Sequence, residues 1–428
     1  MTVARTLRLL SLPVGALALS ATGAVRRAAG ADPDAVRRQL RARNADRTRR
    51  VLGDLKGGAL KAGQLLSTVE ALFPTDPEDT WREALTWLQE SNAALPFAQV
   101  EPVLVTELGP RWRSAFRSFE EPAVAAASLG QVHRAIWSDG RPVAVKVQYP
   151  GVREALASDV RAVSRLTRVT ALVAPGLALP PLVAELRSRL VEELDYLHEA
   201  ASQRRFAAAY DGDPWLAVPA VVMATSRVLV QDWMEGTPLS VVAAAGTQAE
   251  RDAAAERYQL ALVSGPGRAG LLHTDPHPGN FRVLADGRLG VLDLGSTLAL
   301  AGMPPGFGRL LRALVETDPQ QVLERLTEDG FIAPGKHLEV DKLIDYLAPF
   351  SEPARHERFR FSRQWLRTEF GRVNDPRNPD FGVALQLRMP AEQLFTHRVW
   401  LGMVGVLCQL EAEVAVAPVL RRWLPGFG

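Results

Sequence analysis

The 428-residue chain contains a single cysteine, Cys408. One thiol excludes an intrachain disulfide and a multi-cysteine zinc site. Cys408 sits in the apolar stretch 401–410, which predicts a buried structural thiol. Aromatic residues are few, at 7%, and none falls within residues 1–50. That segment therefore offers no platform for base stacking, and nucleic acid is not an expected partner. Long uncharged apolar runs are also scarce. Residues 9–25 form one of 17 positions, broken by Pro13 and Gly15. This is at the short limit for a membrane-spanning helix. A second apolar stretch, 399–420, carries Glu411 and Glu413, which predicts a buried amphipathic helix rather than a span. No internal repeat and no long low-complexity linker is visible.

Net charge is nearly absent as well, at +2, but it is unevenly placed. Residues 1–50 hold eleven arginines against Asp32, Asp34 and Asp46, so this arm carries +8 and the remainder −6. A basic arm points to an acidic surface. With stacking excluded, anionic lipid headgroups are the expected contact. Apolar residues at 47% and charged residues at 23% are ordinary for a folded chain long enough for two or three packed units.

What is present is concentrated at His273-Thr274-Asp275-Pro276-His277-Pro278-Gly279-Asn280, followed thirteen residues later by Asp293-Leu294-Gly295. Phosphoryl transfer in kinase folds uses this set: one Asp to orient the nucleophile, and an Asn and a second Asp to hold magnesium. Magnesium takes hard oxygen ligands and keeps substrate phosphates in its shell, so an amide and a carboxylate suffice from the protein. The intervening residues predict a hairpin: 281–284, a turn at Asp286-Gly287, then 289–292. Asp275 is thus the candidate base or water-positioner, and Asn280 and Asp293 the candidate metal ligands.

Other segments supply the remaining parts of a phosphate site. Val143-Ala144-Val145-Lys146 reads as a strand carrying a nucleotide lysine, after a strand at 132–137 and a turn at Ser138-Asp139-Gly140. Where a kinase carries a glycine-rich loop, this chain has Ala125-Ala126-Ala127-Ser128-Leu129-Gly130. Alanine favours helix and does not let backbone amides approach a phosphate as glycine does. Nucleotide geometry here should therefore differ from that of an ordinary kinase; a helix end capped by Gly130 is the alternative. Residues 181–209 read as a helix with Glu192, Glu193, Asp195 and Glu199 as possible carboxylate partners for Lys146. On a regular helix Glu192, Asp195 and Glu199 share a face, and Glu193 points about 200° from Asp195. The strand 230–236, with Asp232, Trp233 and Met234 ending at Gly236, suits a hinge whose backbone meets an adenine. Lys56 to Ser67 holds three glycines in seven residues, each costing about 0.8–1 kcal/mol in a helix, which points to close backbone packing or approach to a site.

Together these residues resemble the ABC1/UbiB/COQ8 (AarF/ADCK) family of atypical kinases. Lys61-Ala62-Gly63-Gln64 is similar to its Lys-x-Gly-Gln motif, residues 125–132 to its Ala-rich loop, Lys146 to its nucleotide lysine, and Glu193-Leu194-Asp195 to its Glu-x-Asp motif. Glu199 is similar to the helix glutamate that pairs with that lysine. The resemblance covers roughly residues 45–300. It implies an α+β, two-lobed kinase-like fold with a small β-sheet lobe, a helical lobe and a helical N-terminal extension. It also implies ATP or ADP with Mg2+ as cofactors. ATPase or restricted phosphoryl transfer supporting isoprenoid-quinone or other lipid metabolism follows, with Lys61 as a gate near Glu193 and Asp195. The expected segments are a basic arm at 1–33, a helical extension at 34–117, an N-lobe at 118–236 and a C-lobe at 237–428. Because such a site needs intracellular ATP, a cytoplasmic protein with peripheral membrane contact is expected, not a secreted one. Thr274, where most protein kinases carry Arg, and the lack of an Ala-Pro-Glu after Asp293 argue against protein substrates.

Overall fold

A computed structural model describes residues 94–127, 129–154, 194–332, 336, 338–373, 378, 381–384 and 386–428. The arm at 1–33, most of the extension, Lys61, Ser128 and Glu193 lie outside these residues. The chain divides into two compact units between Leu194 and Asp195.

In the first unit, helix α1 (Phe97–Leu108) is followed by a 3-10 turn and by strands β1 (Phe116–Phe119), β2 (Ala125–Ala126), β3 (Gly130–Trp137) and β4 (Pro142–Gln148). Alternating apolar residues and a Gly140 turn at φ 100° make β3 and β4 an antiparallel hairpin, as expected, in register from Gly130 opposite Gln148 to Ile136 opposite Pro142. Both β1 and β2 pair with β3. The helical alternative for the alanine loop is thereby corrected: Ala125 and Ala126 are extended, opposite Val132 and Gln131. Ladder pairing overrides alanine's helix preference. Gly130 is required at the turn, because a Cβ there would lie 2.1 Å from the Val147 carbonyl oxygen. At the end of the extension expected to be helical to residue 117, α1 stops at Leu108, and Trp112, Phe116 and Phe119 form an edge-to-face aromatic cluster.

The second unit opens with α2 (Tyr196–Ala209), then β5 (Leu216–Ala217), β6 (Val221–Ala224), β7 (Val228–Asp232), β8 (Thr237–Pro238), α3 (Leu239–Ala245) and α4 (Gln248–Ala269). A capping box between Thr247 and Glu250 starts α4, and Gly270 in the left-handed region ends it. Next come β9 (Leu271–His273), β10 (Phe281–Val283), β11 (Leu289–Val291) and β12 (Thr297–Ala299). Strands β5, β11, β10 and β8 form one sheet, and β9 pairs with β12. The tail supplies α5 (Pro305–Glu316), α6 (Pro319–Glu328), α7 (Val340–Ser351), β13 (Arg358–Arg360), α8 (Arg363–Val373), α9 (Leu394–Leu410), β14 (Glu413–Ala415) and α10 (Ala417–Trp423). The core joins Tyr258, Leu262, Phe281, Val291, Met403, Leu407 and Cys408, which places α4 and α9 directly beneath the His273–Asp293 region. The single helix expected over 399–420 is corrected: it ends at Glu411, whose φ is 48°, and Glu413 lies in β14 opposite Arg360.

Candidate functional site

Two short ladders hold the loop from Asp275 to Asn280. Before it, β9 is locked to β12 with His273 opposite Thr297, and Thr274 N–H donates to the Ser296 carbonyl at 2.9 Å. After it, β10 and β11 form the expected hairpin, and Leu292 N–H donates to the Asn280 carbonyl at 2.9 Å. The hairpin turn rests on Gly287 at φ 85°, with Asp286 accepting from Arg288. Asp275, Asn280 and Asp293 therefore hang from fixed strand ends rather than from a free loop.

Within this frame the Asn280 side-chain amide donates to both the Asp275 carbonyl and Asp275 Oδ2, each at 3.1 Å. With Nδ2 so engaged, the amide oxygen of Asn280 is left as its acceptor. Asp293 Oδ1 accepts from Gly295 N–H at 2.9 Å. A Cβ on Gly295 would lie 3.2 Å from both Asp293 Oδ1 and Glu199 Oε2, so the two carboxylates flank one glycine. Glu199 is 2% exposed and comes from α2, which is tied to β12 by the buried Ser202–Thr297 hydroxyl pair at 2.9 Å. Buried carboxylates are tolerated only with compensating positive charge or hydrogen bonds. An amide oxygen and a carboxylate are hard donors, and this pair fits magnesium shared with phosphate.

Helix α2 begins at Tyr196. Asp195 is its N-cap, extended at φ −116°, ψ 103°, with its side chain accepting from Leu197 N–H at 3.0 Å. This corrects the regular helix expected to run through Asp195: the helix starts after it, so Asp195 and Glu199 do not share a helical face, because aspartate favours the cap position. Within the first unit, Gln148 and Arg153 donate to the Leu194 carbonyl at 2.9 and 2.8 Å.

Lys146 is half-buried on β4, opposite Val132, which is itself opposite Ala125. Lys146 and the alanine segment thus occupy one cross-strand row. Ala126 extends the same short strand, and Ala127 N–H donates to the Gly130 carbonyl at 2.8 Å to close the turn. In the second unit, Asp232 ends β7 and donates its N–H to the Ala220 carbonyl at 2.9 Å. The segment through Trp233 and Met234 returns to the hairpin. A Cβ on Gly290 would meet Met234 Sδ at 2.3 Å, and Arg282 donates to the Gly236 carbonyl at 3.0 Å.

The structure adds residues that the motif reading passed over. His273 is 1% exposed; its Nδ1 accepts from Asp275 N–H at 3.4 Å. Burial lowers its pKa, against the opposing charges of Asp275 and Asp293, so it is neutral structural support for the loop. Tyr258 on α4 donates its hydroxyl to the Pro276 carbonyl. Burial first, and then the charge of Asp275, push that phenol well above its ordinary pKa, so it stays a donor. Helix α9 supplies Arg398, 3.8 Å from Asp275 Oδ1, and Gly402, whose Cβ position would lie 2.3 Å from Pro276 Cγ. The sequence carried a signal for Arg398: it is the one Lys, Arg, Asp or Glu in the 17-residue apolar helix.

A small sheet bearing a lysine, a separate helical unit, and an Asp/Asn/Asp constellation on a loop and hairpin define an α+β kinase-like domain. Comparison with known proteins makes this specific. The model of the ABC1 atypical kinase-like domain matches residues 87–326, and the chain belongs to that family. It is 29% identical over 393 residues to the mitochondrial atypical kinase COQ8 of Saccharomyces cerevisiae, covering 89% of this chain and 76% of that protein. It is 31% identical over 294 residues to mitochondrial COQ8B of Rattus norvegicus, covering 68% of this chain and 55% of that protein. The structure of Rv3197 in complex with erythromycin, from Mycobacterium tuberculosis, superposes with a TM-score of 0.70 at 38% identity, covering 92% of this chain and 99% of that one. No described helix is long and apolar enough to cross a membrane.

Proposed function

We propose that this chain binds Mg-ATP or Mg-ADP and turns ATP over slowly, by hydrolysis or by phosphoryl transfer to a restricted acceptor, in support of isoprenoid-quinone or other lipid metabolism. Two observations support the reading: the Asn280 amide is hydrogen-bonded to Asp275, and the Asp293 and Glu199 carboxylates flank Gly295. Asn280 and Asp293 would hold magnesium, which when bound neutralises phosphate charge. Asp275 would orient the attacking oxygen. Lys146 as ligand of the α- and β-phosphates, and Glu199 as its partner, rest on the family resemblance, as do Lys61 as gate and Glu193 and Asp195 beside it. Residues 125–128 would cover the phosphates, and the backbone of 232–234 would meet the adenine. The basic arm at 1–33 would give peripheral contact with anionic membrane from the cytoplasmic side. The mitochondrial COQ8 relatives support the quinone link.

The test is a magnesium-dependent phosphate-release assay on the full chain, with and without anionic liposomes and a polar-lipid extract. Slow release that lipid stimulates is expected. A second reading, a small-molecule phosphotransferase, draws on the Mycobacterium tuberculosis relative solved with erythromycin. Turnover indifferent to lipid but stimulated by a macrolide would favour it. Nucleotide binding without any release would leave an inert scaffold.

A further inference from the structure

Arg398 is the charged side chain beside Asp275 that no motif accounts for. Its guanidinium stands 3.8 Å from Asp275 Oδ1, too far for a hydrogen bond, and both side chains are 21% exposed. Among the described residues Arg398 has no hydrogen-bond partner, although its planar fork carries five donors. Asp275 Oδ2, by contrast, is engaged by the Asn280 amide. One carboxylate oxygen is therefore fixed by a directional bond, and the other faces a cation held at arm's length.

The placement is built rather than incidental. Arg398 and Gly402 lie one turn apart on α9, so they share a face. They meet consecutive residues of the loop, Arg398 at Asp275 and Gly402 at Pro276. Tyr258 holds the Pro276 carbonyl from α4. The helix and the loop are thus registered to each other at Asp275 and at Pro276. Within the loop itself, position 274 has no room for a cation: Thr274 is 0% exposed and its hydroxyl pairs with Ser296 at 2.8 Å.

We propose that Arg398 is a catalytic residue that contacts the terminal phosphoryl group of the bound nucleotide as it transfers. The inference rests on the phosphoryl-transfer reading above. A residue that orients the attacking oxygen lies within about 3 Å of it. The reacting phosphorus lies within about 3.5 Å of that oxygen in an attack-ready complex. An arginine beside the orienting carboxylate is therefore within side-chain reach of the equatorial phosphate oxygens. In hydrolysis the bond from the γ-phosphorus to the β,γ-bridging oxygen breaks and a bond from the water oxygen forms. ADP leaves with the electron pair, and the water proton passes by way of Asp275 to the phosphate product or solvent. Charge spreads over the equatorial oxygens during this exchange, and a planar guanidinium is matched to them. The Arg398–Asp275 pair keeps the cation docked before nucleotide arrives.

The experiment measures thermal stabilisation of the full chain by Mg-ADP alone and by Mg-ADP with aluminium fluoride, which imitates the transferring phosphoryl, alongside ATP turnover. Wild type should gain stability from Mg-ADP and a further increment from the fluoride. Arg398→Ala should keep the Mg-ADP gain, lose the increment, and turn over about 10³-fold more slowly at saturating ATP, the low end of what an arginine on the transferring phosphoryl supplies. Arg398→Lys keeps the charge without the fork and serves if the alanine variant fails to fold; it should lose most of the increment. If either folded variant retains the full increment and turns over within about twofold of wild type, Arg398 is structural and the inference falls. If wild type gains nothing from Mg-ADP, the nucleotide reading itself fails and the inference with it.

Discussion

Replacing Gly402 by alanine tests whether helix α9 sets the position of Asp275. The added Cβ would stand 2.3 Å from Pro276 Cγ, whereas ordinary contact begins at 3.4 Å, so ring and helix must separate by about 1.1 Å. The proline ring can change its pucker but cannot swing away as an acyclic side chain does. Its carbonyl is bonded to Tyr258, and the preceding Asp275 is bonded to Asn280. Overpacking of this kind costs about 1–3 kcal/mol. Alanine recovers about 0.8–1 kcal/mol through helix propensity, leaving a net loss of roughly 0–2 kcal/mol. The kinetic effect should be larger, because a displacement of about 1 Å in a positioning group can lower turnover about 100-fold. Gly405, three residues on in the same helix, is the internal control: a Cβ there meets nothing within 4 Å. Gly405→Ala should stabilise by about 0.5–1 kcal/mol and leave turnover unchanged. Urea unfolding and phosphate release on the two variants give the comparison. Equal stability and equal turnover for Gly402→Ala and Gly405→Ala would refute the idea that α9 positions the loop.

Three further outcomes are expected. Asp275→Asn should keep nucleotide-induced stabilisation while slowing phosphate release by about 10²–10⁴-fold, the range for a positioned acid or base; equal release from both proteins would favour a scaffold. Burial pushes the Cys408 thiol up to about 12, so at pH 8 it should resist alkylation in the native protein and react fully in urea; prompt native labelling would place it near the surface. Burial lowers His397 to about 4 from its ordinary 6.5, so the unfolded chain binds the extra proton between those values. Its contribution, at most about 3 kcal/mol, is then complete above pH 6.5 and lost as pH falls toward 4. His397→Phe should flatten that part of the acid limb in urea melts between pH 7 and 4.5, with His133 and His273, also lowered by burial, supplying what remains. An unchanged slope would contradict the burial of that ring.

Sequence reading was strongest where chemistry is local. The hairpin at 281–292 could be read because Asp286-Gly287 dictates its turn and alternation dictates its faces, and the motif loop followed from it. The three-residue strands β9 and β12 could not, since they are too short to show a period and exist through pairing with each other. The start of the helix at Tyr196 is not legible in the sequence, because Leu, Glu and Arg continue a helical pattern across Asp195, while the cap at Asp195 is decided by a side-chain bond to Leu197. The alanine loop was ambiguous for a similar reason: its strand character comes from Val132 and Gln131 across the ladder. Arg398 and Gly402 lie more than 100 residues from the loop they touch, and only tertiary packing brings them to Asp275 and Pro276. A lone arginine in an apolar helix marks the need for a buried partner without naming it.

The central claim is that Asp293 and Asn280 present a magnesium–nucleotide to Asp275. Thermal stabilisation of wild type and Asp293→Asn by ADP, across a magnesium titration, tests it most directly. Wild type should be stabilised by ADP only as magnesium is raised, and Asp293→Asn should lose that dependence while melting near wild type without ligand. Equal magnesium-dependent stabilisation of both proteins would contradict the assignment of the site.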